Sequence, residues 1–162
     1  MKKKLIILGV FVLALVTLIG CTSKKVDEGS EVEASASVEE IAEKIQSDME
    51  WPALMNIGDE EIKNLYGIDV NDLEEYTFNV PMMNVKSTEL SIIKVKDIEK
   101  IDEVKESIEK RAENIQKSFE TYLPDQYENA KNYLLEVKGE YIIFAIYEDT
   151  NKVQEVFNGF FK

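Results

Sequence analysis

The sequence predicts an α+β fold: two leading helices, then the order ββαββα, giving a four-stranded antiparallel sheet with helices packed mainly on one face. Three observations carry this. Within residues 98–122, Ile101, Val104, Ile108, Ala112, Ile115 and Phe119 recur at spacings of three and four, the period of a helix with one buried face. Within residues 75–82, Tyr76, Phe78, Val80 and Met82 alternate with Thr77 and Asn79, the period of a half-buried strand. Lys138-Gly139 separates two apolar runs, 133–137 and 140–147, which is the spacing of a two-residue hairpin. Two hairpins, each followed by a helix, make a single layered α+β domain. The roughly 125 residues from 38 to 162 suffice for one core.

The remaining elements follow in order. Val38, Ile41, Ala42 and Ile45 keep helical spacing. Ser37, with Glu40 three residues on, forms a capping box before them. Trp51-Pro52 ends that helix, because a residue before proline avoids the α region. Residues 59–66 form a second short helix carrying Ile62, Leu65 and Tyr66, with Gly67 in the C′ position. Pro81 cannot donate to a ladder, which predicts an edge or a bulge at that end of the first strand. Ile92, Ile93 and Val95 mark a strand over 89–96, and residues 84–88 supply the turn before it. In the long helix, Glu106 with Lys110 and Glu113 with Lys117 are i,i+4 pairs for the wet side. Leu123-Pro124-Asp125 terminates it and opens a loop. The strand over 140–147 is apolar on both faces and is therefore central in the sheet. A helix over 150–160, capped by Asp149 or Thr150, buries Val153, Val156, Phe157 and Phe160.

The N-terminus has a different character. Lys2, Lys3 and Lys4 precede an apolar run from 5 to 16, and Leu18-Ile19-Gly20-Cys21 follows. A basic start, a short apolar stretch and a small residue before the cut define a secretory signal over 1–20. The run is shorter than the roughly 20 residues that span a bilayer. A cysteine just past the cut resembles a bacterial lipobox, so Cys21 is expected to carry a diacylglyceryl thioether and to become the first mature residue. Two acyl chains anchor stably where one does not. Residues 21–37, rich in Ser, Glu, Lys and Ala without aromatics, read as a disordered tether.

Composition narrows the chemistry. The chain has no histidine, and its only cysteine is Cys21, the expected lipidation site. That excludes Ser-His and Cys-His nucleophiles and the zinc sites built from those ligands. Removing Lys2, Lys3 and Lys4 leaves 16 basic against 32 acidic residues, a mature charge of −16. Nucleic-acid binding, which needs clustered cations against phosphates, is not expected. No metal or cofactor is expected either: residues 69–74 lack the Gly and the oxygen ligand that an EF-hand loop requires. Arg111 is the sole arginine beside 18 lysines. With abundant Ile, Asn and Glu, that bias fits an AT-rich genome and display on the outer face of a Gram-positive membrane.

Six residues are candidates for ligand or partner contact. Arg111 borders the apolar stripe of the long helix, where it can form a structural salt bridge or anchor an anionic ligand. Tyr122, Asp125 and Tyr127 follow on the next segment and could line such a pocket. Met82 and Met83, with Trp51, offer adaptable apolar surface for a partner or fill core gaps. Tyr141, Phe144, Phe157 and Phe160 are assigned to the core.

Pro81-Met82-Met83-Asn84-Val85 before the Glu89-led strand is one part of a recognisable set. Lys110-Arg111 with Tyr122-Leu123-Pro124 downstream, and Val137-Lys138-Gly139-Glu140-Tyr141, complete it. Together they resemble domain-of-unknown-function family 4358, found mainly among Firmicutes lipoproteins, over about 38–157. The resemblance implies a membrane-anchored extracytoplasmic protein and no activity. The expected function is a non-catalytic binding or protein-interaction module of the cell envelope, acting on a protein, peptide or small ligand. The alternative is an envelope hydrolase using a carboxylate pair, which needs two acids converging in a cleft.

Overall fold

A computed structural model describes residues 32–162. The signal segment, Cys21 and the first part of the expected tether lie outside the described residues.

Among the described residues five strands and five α-helices follow one another. They are α1 (Val38–Ser47), β1 (Leu54–Asn56), α2 (Asp59–Tyr66), β2 (Leu73–Pro81), β3 (Glu89–Val95), α3 (Ile101–Phe119), α4 (Pro124–Lys131), β4 (Leu134–Lys138), β5 (Tyr141–Ile146) and α5 (Thr150–Asn158). The sheet is antiparallel throughout, in the order β1-β2-β3-β5-β4. The α+β class is as expected, but the sheet has five strands rather than four. β1 is only three residues long, with two of them exposed, too short for any apolar alternation to register.

β2 is also not an edge. β1 pairs beside Pro81, through Leu54, and the register irregularity falls between Leu73 and Glu75 instead. Pro81 simply ends the strand, where its missing N–H costs nothing in the ladder.

The helices cover both faces, not mainly one. On the first face, α2, α3 and α4 bury Ile62, Tyr66, Val104, Ile108, Ala112, Ile115 and Ala130 against Phe78, Ile93, Ile142 and Phe144. On the second, α1 and α5 bury Ile41, Ile45, Val153 and Phe157 against Leu90, Ile92, Ile143 and Ala145. β3 and β5 are buried at every position, so apolar residues point both ways and each face needs a cover.

Local signals behave as the sequence predicts at several ends. The Ser37–Glu40 capping box closes α1, with Ser37 N donating to Glu40 Oε2 at 2.9 Å. Gly67 takes the left-handed φ of +73° that ends α2. The predicted long helix begins as a 3-10 turn at Ile98–Lys100 and stops at Phe119. The expected loop after Pro124 is instead α4, with proline in its first turn, where its lack of an N–H is harmless. Only Ala130 of α4 is buried, so the helix has no apolar stripe to announce it.

The sheet has two distinct ends. In the β3–β5 register Glu89 faces Ile146 and Lys94 faces Tyr141. The β2–β3 loop, 82–88, therefore lies at the opposite end from the Gly139 turn, about 17 Å away at ~3.4 Å per residue. Both ends of the domain's chain meet at the Gly139 end. Ala34 bridges Phe161, Ser35 N donates to Phe160 O at 2.9 Å, and Phe161 packs edge-on to Tyr141. Residues 32–37, expected as the end of the tether, are thus seated on the domain.

Candidate functional site

Arg111 is placed by α3, one turn from Ile108 and Ile115, on the side that faces the start of β3. Glu89 opens β3 and is 1% exposed. Arg111 Nε donates to Glu89 Oε2 at 3.2 Å, and a terminal nitrogen of Arg111 donates to Glu89 Oε1. Tyr66 of α2 completes the group. Its hydroxyl donates to Glu89 Oε2 at 2.6 Å and lies 3.3 Å from Ser91 Oγ, and its ring lies beneath the guanidinium, 5.4 Å from centroid to Cζ.

The electrostatics follow from burial. Burial pushes the Tyr66 phenol well above its ordinary pKa, and the Glu89 charge beside it pushes the same way. Burial works against the Arg111 cation, but hydrogen bonding and attraction to Glu89 more than offset it, so its pKa is raised. The group is a neutralised ion pair with a protonated phenol. Both Glu89 oxygens accept hydrogen bonds within this group. Arg111 keeps one terminal nitrogen that makes no hydrogen bond among the described residues.

This pair forms part of the wall of a groove of about 430 Å3 between α3 and the β2–β3 hairpin. Leu65, Pro81, Asn84, Lys86, Ile115 and Ser118 contribute to its lining. A smaller hollow of about 270 Å3 adjoins it, with Lys86 shared and Asp125 and Gln126 on the α4 side. Ser87 ties the two together: its N–H donates to Gln126 Oε1 at 3.0 Å and its hydroxyl to Gln126 O at 2.9 Å.

The predicted residues fall as follows. Arg111 and Asp125 line adjoining grooves. Met82 and Met83 stand 63% and 61% exposed on the same loop, and Tyr122 is 68% exposed after α3. Tyr127 is on α4, half-buried against the first core, with Lys131 Nζ 5.3 Å from its ring centroid. Trp51 does not join an exposed surface: it stacks on Tyr147 at 4.2 Å and donates from Nε1 to Ile45 O at 3.3 Å. Cys21 lies outside the described residues. Glu89, Tyr66 and Ser91 are not among the six contact candidates that the sequence suggests. A charged residue heading a strand of apolar neighbours was the available signal, because a buried carboxylate requires a partner.

The failed calcium loop has other work. Asp69 caps a 3-10 turn at Val70–Asp72, accepting from Asn71 N at 3.0 Å, while Asp72 and Glu74 pair with Lys100 and Lys94. Among the described residues no cluster of metal-binding side chains occurs, and no helix is long and apolar enough to cross a membrane.

Fold and site together define a small helix–sheet–helix α+β domain with a buried Tyr–Glu–Arg group beside an open groove. The chain belongs to the family described as a domain of unknown function, DUF4358, which it matches over residues 46–147. The match is narrower than the resemblance implied: it takes in the whole sheet and α2 to α4 but omits most of α1 and all of α5. No curated protein and no solved structure matches the chain.

Proposed function

We propose that this protein is a lipoprotein anchored through Cys21 on the extracytoplasmic face of the membrane, with its globular domain serving as a non-catalytic binding or protein-interaction module. The anchor reading rests on Lys2–Lys4, the apolar run and Gly20-Cys21. The observation that carries the module reading is the polarity of the domain. Its N-terminal segment is seated at the Gly139 end, while exposed Met82 and Met83 lie on the loop at the other end of the sheet. A chain tethered at Cys21 would hold the Gly139 end towards the bilayer and the methionine loop and groove away from it. Methionine-rich, unpaired surface is the kind that adapts to a partner.

The first groove carries a single carboxylate, Glu89, which is already paired, so it does not favour the hydrolase alternative. The test has two arms. Cys21→Ser should abolish palmitate incorporation and move the protein out of the membrane pellet. Capture of envelope proteins by the intact protein should be lost in Met82→Ser/Met83→Ser. A variant that stays in the pellet refutes the anchor, and capture that ignores the methionines refutes the surface.

A further inference from the structure

The groove beside Arg111 differs in charge from the rest of the chain. The chain carries 32 acidic residues, yet the walls of this groove hold almost none of them. The β2–β3 loop, residues 82–88, contains no Asp or Glu. Asp102, Glu103, Glu106, Glu109 and Glu113 are the acids of α3, and none of these lines the groove. The strip that does, Arg111, Asn114 and Ser118, follows one side of the helix at spacings of three and four. The single carboxylate in the lining is Glu89, and Arg111 matches its charge. Lys86 stands exposed on the facing loop and makes no ion pair among the described residues. Lys86 and Arg111 against Glu89 leave the lining with one net positive charge.

The guanidinium is fixed from two sides. Glu89 holds its Nε and one terminal nitrogen, and the Tyr66 ring lies beneath it. The Arg111 side chain is 17% exposed. A cation held in this way gives up little further freedom when it binds. Its other terminal nitrogen keeps both N–H donors, on a residue that lines the groove. Asn84 from the loop and Asn114 from α3 add side-chain amides that make no hydrogen bond among the described residues.

One net charge and two separate donor groups complement a carboxylate, which has one negative charge and two oxygens. A phosphate dianion would leave a surplus negative charge beside Glu89. Apolar groups adjoin the cations. Leu65 is 38% exposed in the same groove, and Met82 and Met83 continue the chain from its Pro81 wall.

We propose that this groove binds a carboxylate presented by a peptide segment, either a C-terminus or an acidic side chain, next to an apolar residue. Arg111 and Lys86 take the two oxygens, and Leu65 and the methionines take the apolar neighbour. The proposal deepens the module reading and rests on it; it does not depend on the lipid anchor.

The test is an NMR titration of the full-length chain in nonionic detergent, read at the backbone amides of Lys86 and Asn114. The probes are acetyl-leucyl-leucine with a free C-terminus, acetyl-leucyl-glutamyl-leucine amide, acetyl-leucyl-glutaminyl-leucine amide and inorganic phosphate. Saturable shifts with either acid, none with the glutaminyl amide and weaker binding of phosphate are expected. Binding of the first peptide alone assigns the groove to C-termini; binding of the second assigns it to acidic side chains as well or instead. Lys86→Gln/Asn114→Asp alters two exposed side chains. It should weaken binding by roughly tenfold or more, because it removes a cation and sets a like charge against the ligand. Lys117→Gln removes a cation of α3 outside the groove and should change binding by less than about twofold, since solvent and salt screen a charge at that remove. No saturable shift with either acid, equal binding of the glutaminyl amide, phosphate bound as tightly as the acids, or an equal loss in Lys117→Gln overturns the proposal. The two readings fail separately. Envelope capture that depends on Met82 and Met83 while neither acid binds overturns the carboxylate and leaves the module reading standing. Saturable binding of an acid without methionine-dependent capture does the reverse.

Discussion

Arg111 closes a fork on Glu89 across 22 residues of sequence, with one nitrogen on each carboxylate oxygen. The side chains are 17% and 2% exposed. Taking both charges out of water is costly, and only the mutual pairing and the Tyr66 hydroxyl offset that cost. The group fastens α2 and α3 to the head of β3, directly beside the groove.

Arg111→Ala leaves Glu89 buried without a counter-charge. It should cost about 3–5 kcal/mol in urea unfolding, the usual penalty for breaking a buried pair from one side. Arg111→Met with Glu89→Leu should recover most of that loss, since a packed apolar pair is often as stable as the ion pair it replaces. A loss below about 1 kcal/mol in the single variant would mean the pair is solvated.

Tyr66→Phe removes the hydroxyl that donates to Glu89 and should cost about 1–3 kcal/mol, because a charged acceptor loses a donor. It should also change the pH response. The folded-state phenol titrates above its unfolded value near 10. The folded state then holds a proton that the unfolded state has released, so stability falls as pH rises above about 10. Urea midpoints at pH 9 and pH 11 should diverge less in Tyr66→Phe than in the parent.

Gly139 turns the β4–β5 hairpin at φ +57°, and an added Cβ there would lie 2.9 Å from Val32 Cβ. Gly139→Ala should cost about 1–2 kcal/mol from the left-handed backbone alone. It should also displace the N-terminal segment. Amide exchange at Ser35, whose N–H is bonded to Phe160, should accelerate, and proteolysis between residues 31 and 38 should become faster. Unchanged exchange at Ser35 would show that the segment is held without Val32.

Met82→Ser/Met83→Ser alters two side chains that are mostly exposed. Thermal unfolding should shift by no more than about 0.5 kcal/mol, so loss of partner capture in this variant reports on the surface and not on folding.

Most of the element pattern was legible in the sequence. The α3 stripe from Val104 to Phe119 declared itself because each residue's burial there follows from its own helix period; the alternation in β2 announced a strand but not its burial, since Thr77 and Asn79 on the expected wet face are buried beneath α1 and Met82 is exposed. The Ser37–Glu40 box and Gly67 declared the ends of α1 and α2. β1 and α4 did not, since three residues and a single buried alanine carry no period. The candidate site was legible only by halves. Arg111 stood out as the sole arginine, but its partner did not.

The sequence by itself determined the α+β class, the caps, the apolar faces and the N-terminal motif ending in Cys21, all of which depend on neighbours within a few positions. The tertiary structure decided that helices cover both sheet faces, that Arg111 meets Glu89 and Tyr66, and that Lys86 shares a groove with Arg111. Those pairings depend on strand order and register. Register is fixed by the summed packing of the whole sheet, which no local stretch encodes.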